Sequence, residues 1–197
     1  MTLDSDRSLD PLPPPARIDR GIPGVFHRGA HGRRVSHRNS VWALRERRLG
    51  PRLDREFAGA GVVLHSRHAG PGLECQPIDH LVVTPAGVWV VATDHVLDRL
   101  TLTAAAAAVA ASEPEATRRA VACRTVLASI GFDWLVVHAA LCATNAQGVM
   151  RRPLRIGNVW VGRPSGIVTV MREPGPLAHL DVVTVAAEMS RRFPAAR

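Results

Sequence analysis

Short runs of apolar and β-branched residues, separated by glycine and proline, occupy the middle of the chain. Residues 61–65, 78–83 and 88–93 are apolar at nearly every position, and the turn at residues 84–87 joins the last two runs into a predicted β-hairpin. Because successive positions are apolar, we expect both faces of this sheet to be covered. Asp79 interrupts one run, and a carboxylate inside such a strand needs a partner, a metal ion or a function.

Helical patterns lie on both sides of these strands. Ser40 is a predicted N-cap for a helix that is interrupted at Pro51, although the pattern extends beyond it. A second helix is predicted to begin at Ser112, where Glu115 completes a capping box, and to end at Gly131.

The last third of the chain predicts two more strands and a final helix. Residues 134–142 and 155–161 have the composition of strands, and residues 177–192 have that of a helix. The order α-β-β-β-α-β-β-α predicts an α/β fold, with a mixed central β-sheet flanked by helices.

The first 39 residues differ from the rest in composition. Residues 1–39 are rich in proline and arginine, which is typical of a disordered arm, so we place the folded domain at residues 40–197. The chain begins without the apolar stretch of a secretion signal, and no apolar run is as long as a membrane span. An odd number of cysteines without a C-x-x-C pair argues against a cysteine zinc site and for a reducing compartment. We therefore expect a cytoplasmic protein without a membrane span.

The net charge of +8 is concentrated near the start of the chain. Residues 17–52 hold ten arginines and two acids, which accounts for the whole excess. Such a stretch attracts phosphate, so nucleic acid is the expected partner, while a solvated arm without a specific partner is the alternative. The candidate nucleic-acid contacts are Arg33, Arg34, Arg38, Arg45, Arg47, Arg48 and Arg52.

All 25 basic residues are arginines, and the chain has no lysine. This excludes a Schiff-base lysine, a phosphate-loop lysine and a lysine general base. Codon usage in a GC-rich genome is an alternative origin of the bias. No G-x-S-x-G elbow of a serine hydrolase is present either.

Several segments together resemble a known family. The predicted hairpin at residues 78–91 resembles the core of the nuclease-related domain (NERD) family in its actinobacterial form, and the resemblance covers about residues 42–195. Weaker similarities lie at residues 45–53, which resemble the opening Gly-Glu-Arg-Arg motif of the family, and at residues 140–142, 159–161 and 174–177.

The resemblance implies a restriction-endonuclease-like core, in which two acids hold Mg²⁺ and a lysine activates water. By this correspondence Asp79 is the first metal-binding acid and Glu46 is the supporting helix glutamate. The second acid and the lysine correspond to Ala92 and Asp94, so both differ from the family pattern. Ala92 has no oxygen for a cation, and Asp94 places negative charge where a positive one is expected.

Three functions remain open. The first is a catalytically degenerate nuclease-related domain without a cofactor, which binds nucleic acid through its arginine-rich region. The second is an active Mg²⁺-dependent DNA nuclease with a rebuilt site of Glu46, Asp79 and Asp94. The third is a protein-interaction module whose basic arm contacts an acidic protein or membrane surface.

Histidines offer another metal hypothesis. His65 and His95 with Asp94 form a conceivable site, although nine histidines without H-x-x-x-H spacing favour chance placement. His80 follows Asp79 directly and is expected to face the opposite side of the strand.

Overall fold

The structure is a computed structural model that describes residues 18–23, 37–68, 77–93, 102–143 and 152–196. These ranges contain four helices and six strands. In chain order they are α1 (His37–Glu56), β1 (Val62–Arg67), β2 (Ile78–Thr84), β3 (Gly87–Thr93), α2 (Leu102–Ser129), β4 (Val137–Cys142), β5 (Leu154–Ile156), β6 (Val159–Gly162), α3 (Pro164–Met171) and α4 (His179–Arg192).

The six strands form one mixed sheet in the order β1-β2-β3-β4-β6-β5, which confirms the predicted α/β class. Strands β1, β2 and β3 are antiparallel neighbours, and the turn at residues 85–86 joins β2 to β3. Strands β3, β4 and β6 are parallel, and β5 pairs antiparallel with β6. Parallel strands need a long crossover, which α2 provides between β3 and β4.

Helices cover both faces of the sheet, as the apolar strands predicted. Side chains alternate along β3, so Val88 and Val90 lie in the core formed with α2 and α4. Trp89 and Val91 lie in the opposite core, formed with α1 and α3. Strands β2 and β3 are therefore buried on both sides.

Helix α1 differs from its prediction at its start and in its continuity. It begins at His37 rather than at Ser40, and it passes through Pro51 without ending. Leu49 and Leu53 on either side of this proline are buried against the sheet. Their packing outweighs the hydrogen bond that proline cannot donate.

Helix α2 was predicted too short. It begins at Leu102, ten residues before the predicted N-cap Ser112, and it contains Pro114. The residues before Ser112 are mostly alanine, which has the highest helix propensity and extends the helix towards its N-terminus. Glu115 does not close a capping box at a helix start, because its carboxylate forms ion pairs with arginines one turn further on.

The C-terminal third also differs in detail. Residues 155–161, predicted as one strand, form the hairpin β5–β6, which turns at Gly157 with φ of +57°. Strand β4 begins at Val137 rather than at residue 134. Helix α3 was not predicted because its eight residues are too few to show a helical period. Helix α4 begins at His179, two residues later than predicted.

Part of the predicted arm contacts the domain. Residues 18–23 lie along β1, where the amide of His65 donates to the carbonyl of Arg20 at 2.7 Å. Ile18 packs against the core on the α2–α4 side. The other arm residues up to 36 lie outside the described residues, so the boundary at residue 40 stays a prediction. Within the described ranges, none of the helices has the length and apolar character needed to span a membrane.

Candidate functional site

The carboxyl ends of the three parallel strands lie side by side at one edge of the sheet. Their last residues are neighbours, since Thr93 of β3 pairs with Cys142 of β4, and Cys142 pairs with Gly162 of β6. The antiparallel strand β2 starts at the same edge, which places Asp79 there. In open α/β sheets, ligands bind outside the carboxyl ends of the strands. This edge is therefore the candidate site.

Asp79 has two hydrogen-bond partners at this edge. The backbone amide of Thr93 donates to its Oδ2 at 3.1 Å, and its carboxyl group is hydrogen-bonded to that of Glu46 on α1. Two carboxyl groups form a hydrogen bond only when a proton lies between them. Burial raises the pKa of Asp79, while the charge of Arg119 and the bonds from Thr93 and Glu46 lower it. Because burial is the largest of these effects, the ionised form of Asp79 is less favourable in the fold than in water.

Arg119 on α2 is the positively charged residue whose charge lowers the pKa of Asp79. Its side chain is 13% exposed, and its Nε lies 3.3 Å from Oε1 of Glu115. Arg119 was not among the predicted site residues, because its approach to Asp79 depends on how α2 crosses the sheet. One signal was present: Arg119 is three residues after the buried Ala116 and four before the buried Cys123, so it belongs to the helix face that packs on the sheet.

The structure brings together some of the predicted site residues and not others. Glu46 of α1 acts on Asp79 through a side-chain hydrogen bond, so these two residues lie together. Ala92 lies beside them on β3 and packs in an apolar cluster with Val109 of α2 and Leu141 of β4. Asp94 lies outside the described residues, so its place in the site stays a prediction.

The structure describes some of the candidate nucleic-acid contacts and leaves others outside the described residues. Arg33 and Arg34 lie outside the described residues, and of Arg38 only the backbone, in the first turn of α1, is described. The remaining four are on α1, where spacings of three and four residues place three of them on one face. These three are Arg45, Arg48 and Arg52, and the fourth is Arg47.

Three of the α1 arginines have no acidic partner in the part of the chain that the structure describes. Arg47 and Arg48 are exposed and Arg52 is half-buried, and none of them forms an ion pair there. The charge of Arg52 lowers the pKa of the Cys142 thiol, which lies at the carboxyl edge of the sheet. Burial has the larger, opposite effect and raises that pKa to about 12. Arg163, which follows β6, begins α3 at the same edge.

Of the histidine metal site considered from the sequence, the structure describes only His65. His95 and Asp94 lie outside the described residues, whereas His65 is hydrogen-bonded to His80 and to Asp54. His65 is 2% exposed and His80 is fully buried, so no substrate reaches either ring. Burial is the main cause that lowers the pKa of both histidines.

The chemistry of the edge follows from its own residues alone. Comparison of the chain with protein-family models, with curated proteins and with solved structures gives no match. Across the described ranges, no group of three or more histidine, cysteine, aspartate or glutamate side chains is arranged to hold a metal ion. The edge combines the neighbouring carboxyl groups of Asp79 and Glu46, one partly buried arginine and a set of arginines on α1.

Proposed function

We propose that this chain is a catalytically degenerate nuclease-related domain that binds nucleic acid through the arginines of α1. A mixed sheet covered by helices, with Glu46 and Asp79 meeting at the carboxyl edge of β3, supports a restriction-endonuclease-like core. The observation that carries the proposal is the state of Asp79, which is hydrogen-bonded to another carboxyl group and lies within the field of Arg119. Cys142 is a buried free cysteine, which supports a cytoplasmic location.

The described residues do not fit the Mg²⁺ that such a nuclease requires. Mg²⁺ binds ionised carboxylates, whereas burial raises the pKa of Asp79 and the charge of Arg119 already acts on its carboxylate. Ala92 offers only a methyl group where the second acid is expected. An arginine does not replace the missing lysine as a base, because it stays protonated at neutral pH.

Binding without cleavage needs only fixed positive charge on an accessible surface. The described arginines fall into two classes, those paired with a carboxylate and those without one. Arg118, Arg191 and Arg192 are paired with glutamates on their own helices. Arg48 and Arg52 have no such partner in the described ranges, so their charge is available to phosphate oxygens.

The experiment is a pair of assays on the full chain. A fluorescently labelled DNA duplex reports binding by anisotropy over a range of salt concentrations, and supercoiled plasmid reports cleavage in Mg²⁺ or Mn²⁺. We expect binding that weakens steeply with salt and no metal-dependent cutting.

Two other outcomes would replace the proposal. Metal-dependent cutting that disappears in Asp79→Ala would establish the active nuclease with Glu46, Asp79 and Asp94. Absence of salt-sensitive binding would favour the protein-interaction module, since phosphate contacts always release counterions.

A further inference from the structure

Strand β1 lies at the edge of the sheet, yet all six of its residues are buried. The outer side of an edge strand carries backbone groups that readily pair with another chain. Within the described residues, two segments contact this side of β1. One is the N-terminal segment 18–23, and the other is the C-terminal segment 194–196.

The C-terminal segment covers only the end of the strand. The amide of His68 donates to the carbonyl of Pro194 at 3.0 Å, and the amide of Ala196 donates to the carbonyl of Ser66 at 2.8 Å. Arg67 and Ala195 form an isolated antiparallel bridge between these two bonds. The first part of β1, residues 62–65, is beyond the reach of this segment.

The N-terminal segment covers β1 further towards its start. The amide of His65 donates to the carbonyl of Arg20 at 2.7 Å, and the hydroxyl of Ser66 donates to the carbonyl of Ile22 at 2.9 Å. Between these contacts Gly21 takes φ of +69°, and a Cβ added there would overlap the carbonyl oxygen of His65. Only glycine satisfies both this backbone conformation and this close approach.

One buried side chain ties the two covering segments together. The guanidinium of Arg67 donates to the carbonyl of Phe193 at 3.1 Å and also to the carbonyl of Asp19. The hydroxyl of Ser190 donates to the same Asp19 carbonyl at 3.1 Å. Segment 18–23 is thus held by a few specific polar contacts and by the packing of Ile18, rather than by a continuous ladder.

We propose that segment 18–23 is a removable guard of the β1 edge, and that the uncovered edge pairs with β1 of a second copy of this chain. Residues 62–65 read Val-Val-Leu-His, a short strand without a carboxylate or an arginine to repel an identical strand. Two such strands pair antiparallel about a two-fold axis and satisfy one another's backbone groups. The opposite edge of the sheet is the three-residue strand β5, which offers a shorter ladder.

The test compares Gly21→Ala with Gly59→Ala in the full chain. Both glycines have φ between +69° and +77°, so the backbone strain of alanine is similar, but an added Cβ at Gly59 meets no atom within 4 Å. The two measurements are hydrogen exchange at the His65 amide and the mass in solution by light scattering over a range of concentrations.

We expect Gly21→Ala to lose about tenfold or more of the protection at the His65 amide at concentrations where it is monomeric, and to form a dimer, which protects this amide again, as its concentration rises. Gly59→Ala and the parent chain should stay protected and monomeric. Amides of β2 and β3 serve as the folding control, because they stay protected if only the guard has left.

Each other result overturns a definite part of the proposal. An exposed His65 amide in a chain that stays monomeric would remove the second copy as the occupant. An unchanged amide in Gly21→Ala would show that the segment does not depend on this close approach. Dimerisation of the parent chain would show that the segment does not guard the edge. If Gly21→Ala unfolds, Ser66→Ala removes a single hydrogen bond of the segment and is followed by the same two measurements.

Discussion

The Nδ1 atoms of His65 and His80 lie 2.9 Å apart across the β1–β2 pair. Both oxygens of Asp54 lie 3.2 Å from Nε2 of His65, and a carboxylate only accepts, so that nitrogen carries a proton. A neutral His65 then accepts at Nδ1, and His80 donates from its own Nδ1. Nε2 of His80 is then unprotonated and carries a lone pair. This atom has no hydrogen-bond partner among the described residues.

Acid should destabilise the protein through this histidine pair. In the unfolded chain each ring protonates near pKa 6.5, and burial lowers the pKa of both in the fold. Below pH 6.5 the unfolded chain therefore binds more protons, so the free energy of unfolding decreases as pH falls. We expect a slope of up to roughly 1.4 kcal/mol per pH unit for each histidine, measured by urea unfolding between pH 8 and 5.

The control for the acid effect is the exposed His179 at the start of α4. His179→Gln removes an exposed ring that has no part in the buried pair, so it serves as the reference for His65 and His80 variants. An unfolding free energy that does not change between pH 8 and 5 would contradict the assignment of the pair as neutral.

Removing the charge of Asp54 should make the acid effect larger. The carboxylate raises the pKa of His65 and so opposes the effect of burial. In Asp54→Asn the amide oxygen still accepts from Nε2, but the charge is gone. Because the Asp54 side chain is 39% exposed, water screens it, and we expect a loss of roughly 0.5–1 kcal/mol near pH 5 and almost none at pH 8. An equal loss at both pH values would indicate a purely structural role for Asp54.

The sheet was predictable because its strands have a strong local signal. Val82, Val83, Val90 and Val91 are buried among neighbours that are also apolar, and the turn before Gly87 is marked by proline and glycine. The helix boundaries were harder, since packing against the sheet outweighed the break signal at Pro51 in α1, and the alanines before Ser112 outweighed the start signal within α2. The short hairpin β5–β6 was predicted as one strand although Gly157-Asn158 is a two-residue hairpin turn signal.

The site was predictable only in part. Glu46 and Asp79 were identified through the family resemblance, and their meeting depends on where α1 crosses the sheet. Arg119 approaches Asp79 from a third element, and the pairing of His65 with His80 requires the register of β1 on β2. These are relations between distant segments, and no local pattern in the sequence encodes them.

Replacing Asp79 by its neutral isostere should stabilise the protein at alkaline pH. Burial raises the pKa of Asp79 above 3.8, so the folded chain holds more protons than the unfolded chain above that pH, and stability decreases as pH rises through this window. In Asp79→Asn the amide oxygen accepts from Thr93 and the amide nitrogen donates to Glu46 without a shared proton. We expect a gain on the order of 1 kcal/mol at pH 8 that shrinks towards pH 4, measured by urea unfolding.

The matched variant Asp79→Ala should behave in the opposite way. It leaves the Thr93 amide without its acceptor, which costs roughly 1–3 kcal/mol at either pH. If Asp79→Asn is as unstable as Asp79→Ala at pH 8, the carboxyl pair does not share a proton in the manner described.

The β2–β3 turn and the segment before α4 should be sensitive to a single methyl group. A Cβ on Gly175 would overlap the carbonyl oxygen of Pro85 and Cα of Ala86, and this close approach accompanies the bond from the Leu177 amide to the Pro85 carbonyl at 3.2 Å. Since both sides are backbone, Gly175→Ala should cost roughly 1–3 kcal/mol in urea unfolding. The exposed neighbour Glu173 provides the control, because Glu173→Ala should change stability by less than about 0.5 kcal/mol.

Affinity for DNA should depend on which arginines are neutralised rather than on how many. The double variant Arg48→Gln/Arg52→Gln removes two charges that have no carboxylate partner in the described ranges. The double variant Arg118→Gln/Arg191→Gln removes two charges that are paired with glutamates. Both variants change the net charge equally. The slope of log K against log salt should therefore become shallower by about 0.9 for each phosphate that the first variant no longer neutralises, and should hardly change in the second. Equal slopes in both variants would mean that only net charge attracts DNA, and that α1 is not its binding surface.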